Sequence, residues 1–300
     1  MRLSYGAVLG VAIFAGLVAP VQSRAQSFAD VTVRAIQLSD GIYMLTGRGG
    51  NIGLSVGADG AYLIDDQFAP LTEKILAAVA AITDQPIRFV INTHWHQDHT
   101  GGNENLGNRG AVILAHDHVR RRLLARNFPD QSDSFVSSPS LPVITFNDVV
   151  TLHLNGESVR IFKVPAAHTD GDVIVHFTGS NVIHMGDLFF NGLYTFFDRS
   201  SGGSFDGMIA ALSIGLELAD EETRIIPGHG PLATRRDLEA HRDRMVEIRA
   251  RTLAAIEAGT SVKDFIAAEP TADLAAAYDG TYQVMKPEKF LEIVYQDLSQ

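Results

Sequence analysis

The chain has 300 residues, 46% of them apolar and 20% charged, with a formal net charge of −11. That is enough for one large core or for two smaller domains, and the acidic balance argues against a nucleic-acid groove or an anionic-membrane binder, which needs a basic stripe. There is no cysteine, so disulfides and thiolate ligands are excluded and any metal must sit on His, Asp or Glu.

The first residues, "MRLSYGAVLGVAIFAGLVAPVQSRAQS", read as a targeting segment. Arg2 precedes an apolar run over about residues 7–18, followed by Pro20 and by Ser23-Arg24-Ala25, which puts small residues where a signal peptidase reads them. Cleavage is expected near Ala25. The run is shorter than the roughly 20 residues a spanning helix needs, which disfavours an anchor. Removing residues 1–25 takes away Arg2 and Arg24 and no acid, so −11 becomes −13. The mature protein is expected to be exported, periplasmic in a Gram-negative source, and free of the membrane. Residues 26–300 read as a single domain with a helical C-terminal segment, because no linker divides them.

"GIYMLTG", "NIGLSVG" and "AYLIDD" are short apolar runs broken by Gly, Asn and Asp, the pattern of strands in a meander. "PLTEKILAAVAAI" starts with Pro and spaces its apolar residues helically. "IRFVINT" is a continuous apolar run, as in a buried strand, "AVILAH" is the next strand and "DHVRRRLLARN" a helix. Residues 128–142 read as a loop. "VITFND", "VTLHLN", "VRIFKVP", "DVIVHFT" and "NVIHMGD" are β-branched strands. "FDGMIAALSIGLELA" is a helix, "RIIPG" a strand, "TRRDLEAHRDRMVEIRARTLAAIEAG" a long helix, and two or three helical pieces follow. Strand blocks alternate with helices in two broad halves, which suggests two packed sheets covered outside by helices.

"INTHWHQDHTGG" packs three histidines and an aspartate into six residues after a predicted strand. Alone it fits a polar loop, a metal cradle or a general-base site. Alternation lets His94 and His96 point the same way, and Asp98 and His99 follow where the chain turns. If it feeds two metals it is short of ligands, since a catalytic zinc takes three protein ligands plus water. Further candidates stand at strand-to-loop junctions beside small residues: His168 in "VPAAHTDGD", Asp187 in "VIHMGD" and His229 in "IIPGHGP".

Together "HWHQDH", "HTDGD", "GDLF" and "PGHG" resemble the metallo-β-lactamase superfamily of hydrolases, in order and spacing, from roughly Gly41 to Gly230. The resemblance implies an α+β fold, a four-layer αββα sandwich, with a dinuclear site at one edge. It implies that His94, His96 and His168 hold one metal, that Asp98, His99 and His229 hold another, and that Asp187 bridges them. Two Zn(2+) are expected, although an all-N/O set also suits Fe or Mn. Two adjacent cations lower the pKa of a bridging water, yielding hydroxide for attack on a carbonyl or phosphoryl centre. Asp98 would orient it and handle a proton.

The same superfamily cleaves lactams, thioesters, lactones, phosphodiesters and sulfate esters, so the fold leaves the substrate open. Class B β-lactamases usually lack an aspartate where Asp187 stands, which speaks against lactams. Glyoxalase-type thioesterases have it but carry a basic C-terminal region, whereas this tail is acidic. The expected substrate is a small ester, lactone, thioester or amide, with β-lactam hydrolysis as the alternative. A non-catalytic periplasmic metal-binding protein is the remaining class.

Other polar residues weigh less. "AHDHV" lacks the Asp-His continuation, and Asp117 is expected to cap the helix there. His184 should face away from Asp187, three residues on in one strand. His153, His176 and His241 read as ordinary strand or helix residues, and Trp95 as packing. The aromatic, glycine-rich residues 189–203 are either a packed loop or a substrate wall formed by Phe190, Tyr194, Phe196 or Phe197. "TGRGGN" is a flap or a hairpin turn, from which Arg48 would meet a substrate carboxylate.

Overall fold

The computed structural model describes residues 28–130, 137–278 and 285–300. The expected targeting segment, residues 1–25, lies outside them. Residues Val31–Gln300 form one compact unit. Among the described residues no helix is long and apolar enough to cross a membrane.

The first sheet has seven strands in chain order: β1 (Arg34–Ser39), β2 (Ile42–Thr46), β3 (Ile52–Gly57), β4 (Gly60–Ile64), β5 (Ile87–Asn92), β6 (Val112–His116) and β7 (Ile144–Phe146). β1 to β4 pair antiparallel, and β4 to β7 pair parallel. The second sheet comprises β8 (Val149–Leu154), β9 (Glu157–Lys163), β10 (Val173–Phe177), β11 (Val182–Phe190) and β12 (Arg224–His229), in the order β12-β11-β10-β9-β8. Only β11 and β12 pair parallel.

The helices are α1 (Thr72–Ala80), α2 (Gln97–Thr100), α3 (Asn103–Gly107), α4 (Asp117–Asn127), α5 (Phe205–Leu218), α6 (Arg235–Glu257), α7 (Val262–Ala267) and α8 (Pro287–Leu298). Met44, Tyr62, Ile64, Ile91 and Leu114 of the first sheet pack against Val159, Ile161, Val175, Phe177 and Ile226 of the second. Outside the second sheet, Ile174, Ile183, Met185 and Ile225 pack against Met208, Leu212, Leu238, Met245 and Val294 of α5, α6 and α8. Ala115 of β6 meets Val119 and Leu123 of α4 outside the first sheet. The fold is the expected α+β four-layer αββα sandwich.

β1, "RAIQLS", is missing from the sequence reading. It is an edge strand with its first four residues exposed, so no buried alternation marks it. α4 is capped by His116 rather than Asp117. The His116 Nδ1 accepts from the His118 N–H at 3.1 Å, and Asp117 sits inside the first turn. The β2–β3 hairpin is pinned, not a flap. Asn51 donates from its backbone to the Gly228 carbonyl at 2.7 Å and from Nδ2 to the Pro227 and Gly230 carbonyls, both at 2.9 Å. Gly50 donates to the Asp98 carbonyl at 3.1 Å.

Candidate metal centre

β4, β5 and β12 all finish at one edge of the sandwich, and β11 runs up beside them. β5 delivers His94 and His96, and the one-turn helix α2 carries Asp98 and His99. The turn after β9 carries His168, β11 carries Asp187, and His229 ends β12.

Among the described residues three groups of side chains could hold a metal, and two of them share no residue: His94, His96, His168 and Asp187, and Asp98, His99 and His229, with donor atoms within 4.8 Å of one another in each group. Asp187 faces both. Its Oδ2 lies 3.4 Å from Nε2 of His168 and 3.7 Å from Nε2 of His94. Its Oδ1 lies 3.0 Å from Nε2 of His99 and 3.4 Å from Nε2 of His229. Oδ2 of Asp98 is 3.3 Å from Nε2 of His229. Nδ1 of His96 is 2.8 Å from Nε2 of His168.

Four of the five imidazoles are oriented from behind. His168 Nδ1 is 2.7 Å from the Phe196 carbonyl, so it carries the proton and leaves Nε2 for the centre. His99 Nδ1 is 2.7 Å from Oδ2 of Asp65. The Thr93 hydroxyl donates to the same Oδ2 at 2.7 Å and accepts from His94 Nδ1 at 3.1 Å. His96 is reversed: its Nε2 meets Oδ2 of Asp198 at 3.2 Å, and Nδ1 faces inward. Asp65 also joins a group with His94 and His99. Its oxygens are already engaged by Thr93 and His99, so it reads as an orienting carboxylate.

The inward atoms suit a cation. His94 Nε2, His99 Nε2 and Asp187 Oδ1 are buried without a hydrogen-bond partner, despite the 3.0 Å approach of the last two. Buried polar atoms are rarely left unpaired, and three such atoms shared between the two donor groups fit metal coordination. The charges agree. Burial would raise the Asp187 pKa, but His99, His229, His94 and His168 hold it well below the usual carboxylate range. Burial pushes His94 well down and His168 to about 4, which keeps both rings neutral, as ligands must be. His99 and His229 differ. Although burial opposes it, Asp187 and the neighbouring carboxylates raise His99 well above the usual histidine value and His229 to about 9. Without a cation these rings are protonated, and a metal would have to displace those protons.

The aromatic segment divides. Phe196 is half-buried, its ring 6.0 Å from that of His96 and 5.7 Å from that of His168. Phe190 is fully buried and stacks on His229 at 5.0 Å, so it supports a candidate ligand rather than walling a substrate space. Tyr194 and Phe197 form packed core and no substrate wall. Both sit in the core under α5 and α8, Tyr194 against Tyr278 and Phe290, and Phe197 against Phe205. Tyr194 lines a cavity of about 260 Å³ with Ile266, Thr271 and Leu291, none of them candidate ligands. Arg48 is half-buried in the pinned hairpin.

His184 belongs to none of the candidate metal groups among the described residues. Simple alternation is not the reason. β11 is irregular between His184 and Gly186, where Gly186 takes φ +50°, and the His184 Nδ1 accepts from the Gly186 N–H. Its Nε2 lies 3.2 Å from the Asn51 carbonyl. Trp95 lies beneath the guanidinium groups of Arg122 and Arg126, 5.9 and 5.6 Å from its ring, which agrees with a packing role.

A family model described as the metallo-beta-lactamase superfamily matches residues 45–234, a span that contains every candidate ligand. The chain belongs to the metallo-beta-lactamase superfamily.

Among curated superfamily relatives, a hydroxyacylglutathione hydrolase of Pelagibacter ubique is 25% identical over 147 residues, 48% of this chain and 52% of that protein. One from Gloeobacter violaceus is 30% identical over 105 residues, 34% of this chain and 35% of that protein. The hydroxyacylglutathione hydrolase GloC of Haemophilus influenzae is 27% identical over 169 residues, 54% of this chain and 77% of that protein. The chain thus spans about half or less of the first two. Among solved structures, a metallo-beta-lactamase from Pontibacter korlensis superposes with a TM-score of 0.60 at 18% identity, covering 71% of this chain and 99% of that one. A sec-alkylsulfatase from a Pseudomonas species superposes with a TM-score of 0.68 at 16% identity, covering 88% of this chain and 50% of that one. These structural likenesses show the fold.

Proposed function

We propose that the mature chain is an exported hydrolase that works with two zinc ions on a small ester, lactone, thioester or amide. The observation that carries this is the placement of Asp187, with one oxygen toward His94 and His168 and the other toward His99 and His229. One carboxylate between two donor groups suits two neighbouring cations: His94, His96 and His168 would hold one, Asp98, His99 and His229 the other, and Asp187 stands within reach of both. When bound, such a pair supplies an acidified water and positive charge for a developing oxyanion.

The chain's own groups do the rest. Asp98 is the most exposed carboxylate of the cluster, at 26%, and the fields of His99 and His229 keep its pKa low although burial opposes them. An ionised, partly accessible Asp98 orients a nucleophile's proton and returns one to the leaving group. Phe196 offers an apolar surface beside His96 and His168. The thioester arm gains support from the relatives named hydroxyacylglutathione hydrolases. The export arm rests on residues 1–25.

The test is a substrate panel of esters, lactones, thioesters and β-lactams run on protein whose metal content is measured in the same sample. Turnover of one class with two zincs per chain is expected. Zinc-loaded protein that turns over nothing would leave a metal-binding accessory role. At most one metal per chain under saturating zinc would overturn the dinuclear reading. Mass spectrometry of the exported form reports the cleavage site.

A further inference from the structure

Four imidazoles of the centre have their outward nitrogens held. Three of these rings, His94, His99 and His168, are almost wholly buried, so packing restrains them as well. His96 is 18% exposed. It also presents Nδ1 inward where those three present Nε2, so rotation about its ring would take the donor away from the centre. What holds it is Asp198. Oδ2 of Asp198 lies 3.2 Å from His96 Nε2, and the carboxylate is itself fixed by the Ser200 and Ser201 hydroxyls and the Ser201 N–H.

The same loop holds His168. The Phe196 carbonyl accepts from its Nδ1, and the Asp198 N–H donates to its carbonyl at 2.7 Å. The loop is braced from two sides. Asp170 donates its N–H to the Ser201 carbonyl and is gripped by Arg122, while Asp297 of α8 accepts from Arg199 and from the Phe205 N–H. The loop makes these contacts with the group of His94, His96, His168 and Asp187, whereas His99 of the other group is oriented by Asp65.

The geometry points to Asp198 as a positioning residue that fixes the tautomer and rotamer of His96 and so sets the affinity of one metal position and not the other. This rests on the dinuclear reading above. A ligand's outer partner commonly changes metal affinity by about 10- to 100-fold.

The experiment is calorimetric zinc titration of metal-free wild type, Asp198→Ala and Asp198→Asn, with nitrogen-15 NMR of the histidine rings. Wild type should show two binding events and a His96 protonated on Nε2. In Asp198→Ala one event should weaken by about 10- to 100-fold while the other stays within about 2-fold, and the His96 ring should lose its single tautomer. Asp198→Asn keeps an acceptor oxygen and should fall between the two. Unchanged events in Asp198→Ala overturn the inference alone. So does equal weakening of both events with lowered stability of the metal-free protein, which marks a merely structural role. A wild type that takes up no metal overturns the dinuclear reading and the inference with it.

Discussion

Nδ1 of His99 lies 2.7 Å from Oδ2 of Asp65, and neither side chain is exposed. Asp65 takes φ +64° to get there, an unusual backbone for a residue other than glycine, as it leaves β4. Its carboxylate also accepts from the Thr93 N–H and hydroxyl. Asp65→Ala would strand these buried donors. We expect about 3–5 kcal/mol lost from unfolding free energy, measured by urea denaturation of the metal-free protein, together with weaker zinc binding.

Asp98→Asn should act the other way. Asp98 is partly exposed at the centre, and asparagine keeps its size there. Turnover should fall about 100-fold or more, with stability within about 1 kcal/mol of wild type. Steady-state kinetics and a denaturation curve on the same preparation decide it. Near-normal turnover would remove Asp98 from the chemistry.

Gly50 tests how tightly the hairpin closes on His99. A Cβ there would lie 2.0 Å from Cε1 of His99 and 2.4 Å from its Nε2. Gly50→Ala must displace the ring or the hairpin, at a cost of about 1–3 kcal/mol. The expected result is one zinc retained where wild type binds two, read by elemental analysis after dialysis. Retention of both would show that the hairpin gives way instead.

His241 supplies a prediction about acid. It is buried between Thr195 and Phe189, and burial, with the Arg244 charge, lowers its pKa to about 3. The unfolded chain therefore takes up this proton near the usual histidine value, while the folded chain resists it. Stability from this residue is whole above about pH 6.5 and declines as pH falls toward 3, by on the order of 5 kcal/mol in all. His241→Gln should flatten that part of the acid limb. An unchanged slope of stability between pH 6 and 4 would show that other groups set it.

The candidate donors were legible because each had a local signature: histidines crowded after an apolar run, or a lone His or Asp beside glycine where a strand stops. Asp65 and Asp198 had no such mark. "AYLIDD" reads as a strand running into acids, and "FFDRSSGG" as a loop; that each carboxylate reaches a histidine 34 or 102 residues away follows only from the packing of the sheets. The acid pair closing an apolar strand at the same edge was the one available hint of Asp65. Aromatics near Asp187 suggest either a packed loop or a substrate wall, and Tyr194 and Phe197 belong to the packed loop. Local sequence could not say which of them α5 and α8 would cover. β1 escaped because an exposed edge strand carries no buried face to pattern.

The pinning of Asn51 has a wider meaning. Its hydrogen bonds cross from the β2–β3 hairpin of one sheet to Pro227, Gly228 and Gly230 beside β12 of the other. The donors divide the same way, with His94, His96, Asp98 and His99 borne by one sheet's edge and His168, Asp187 and His229 by the other's. The centre is thus a gauge of how the two sheets slide over each other. Any shear of the sandwich, even from a substitution deep among Tyr62, Phe177 and Ile226, would be felt first as a parting of the two halves of the donor set.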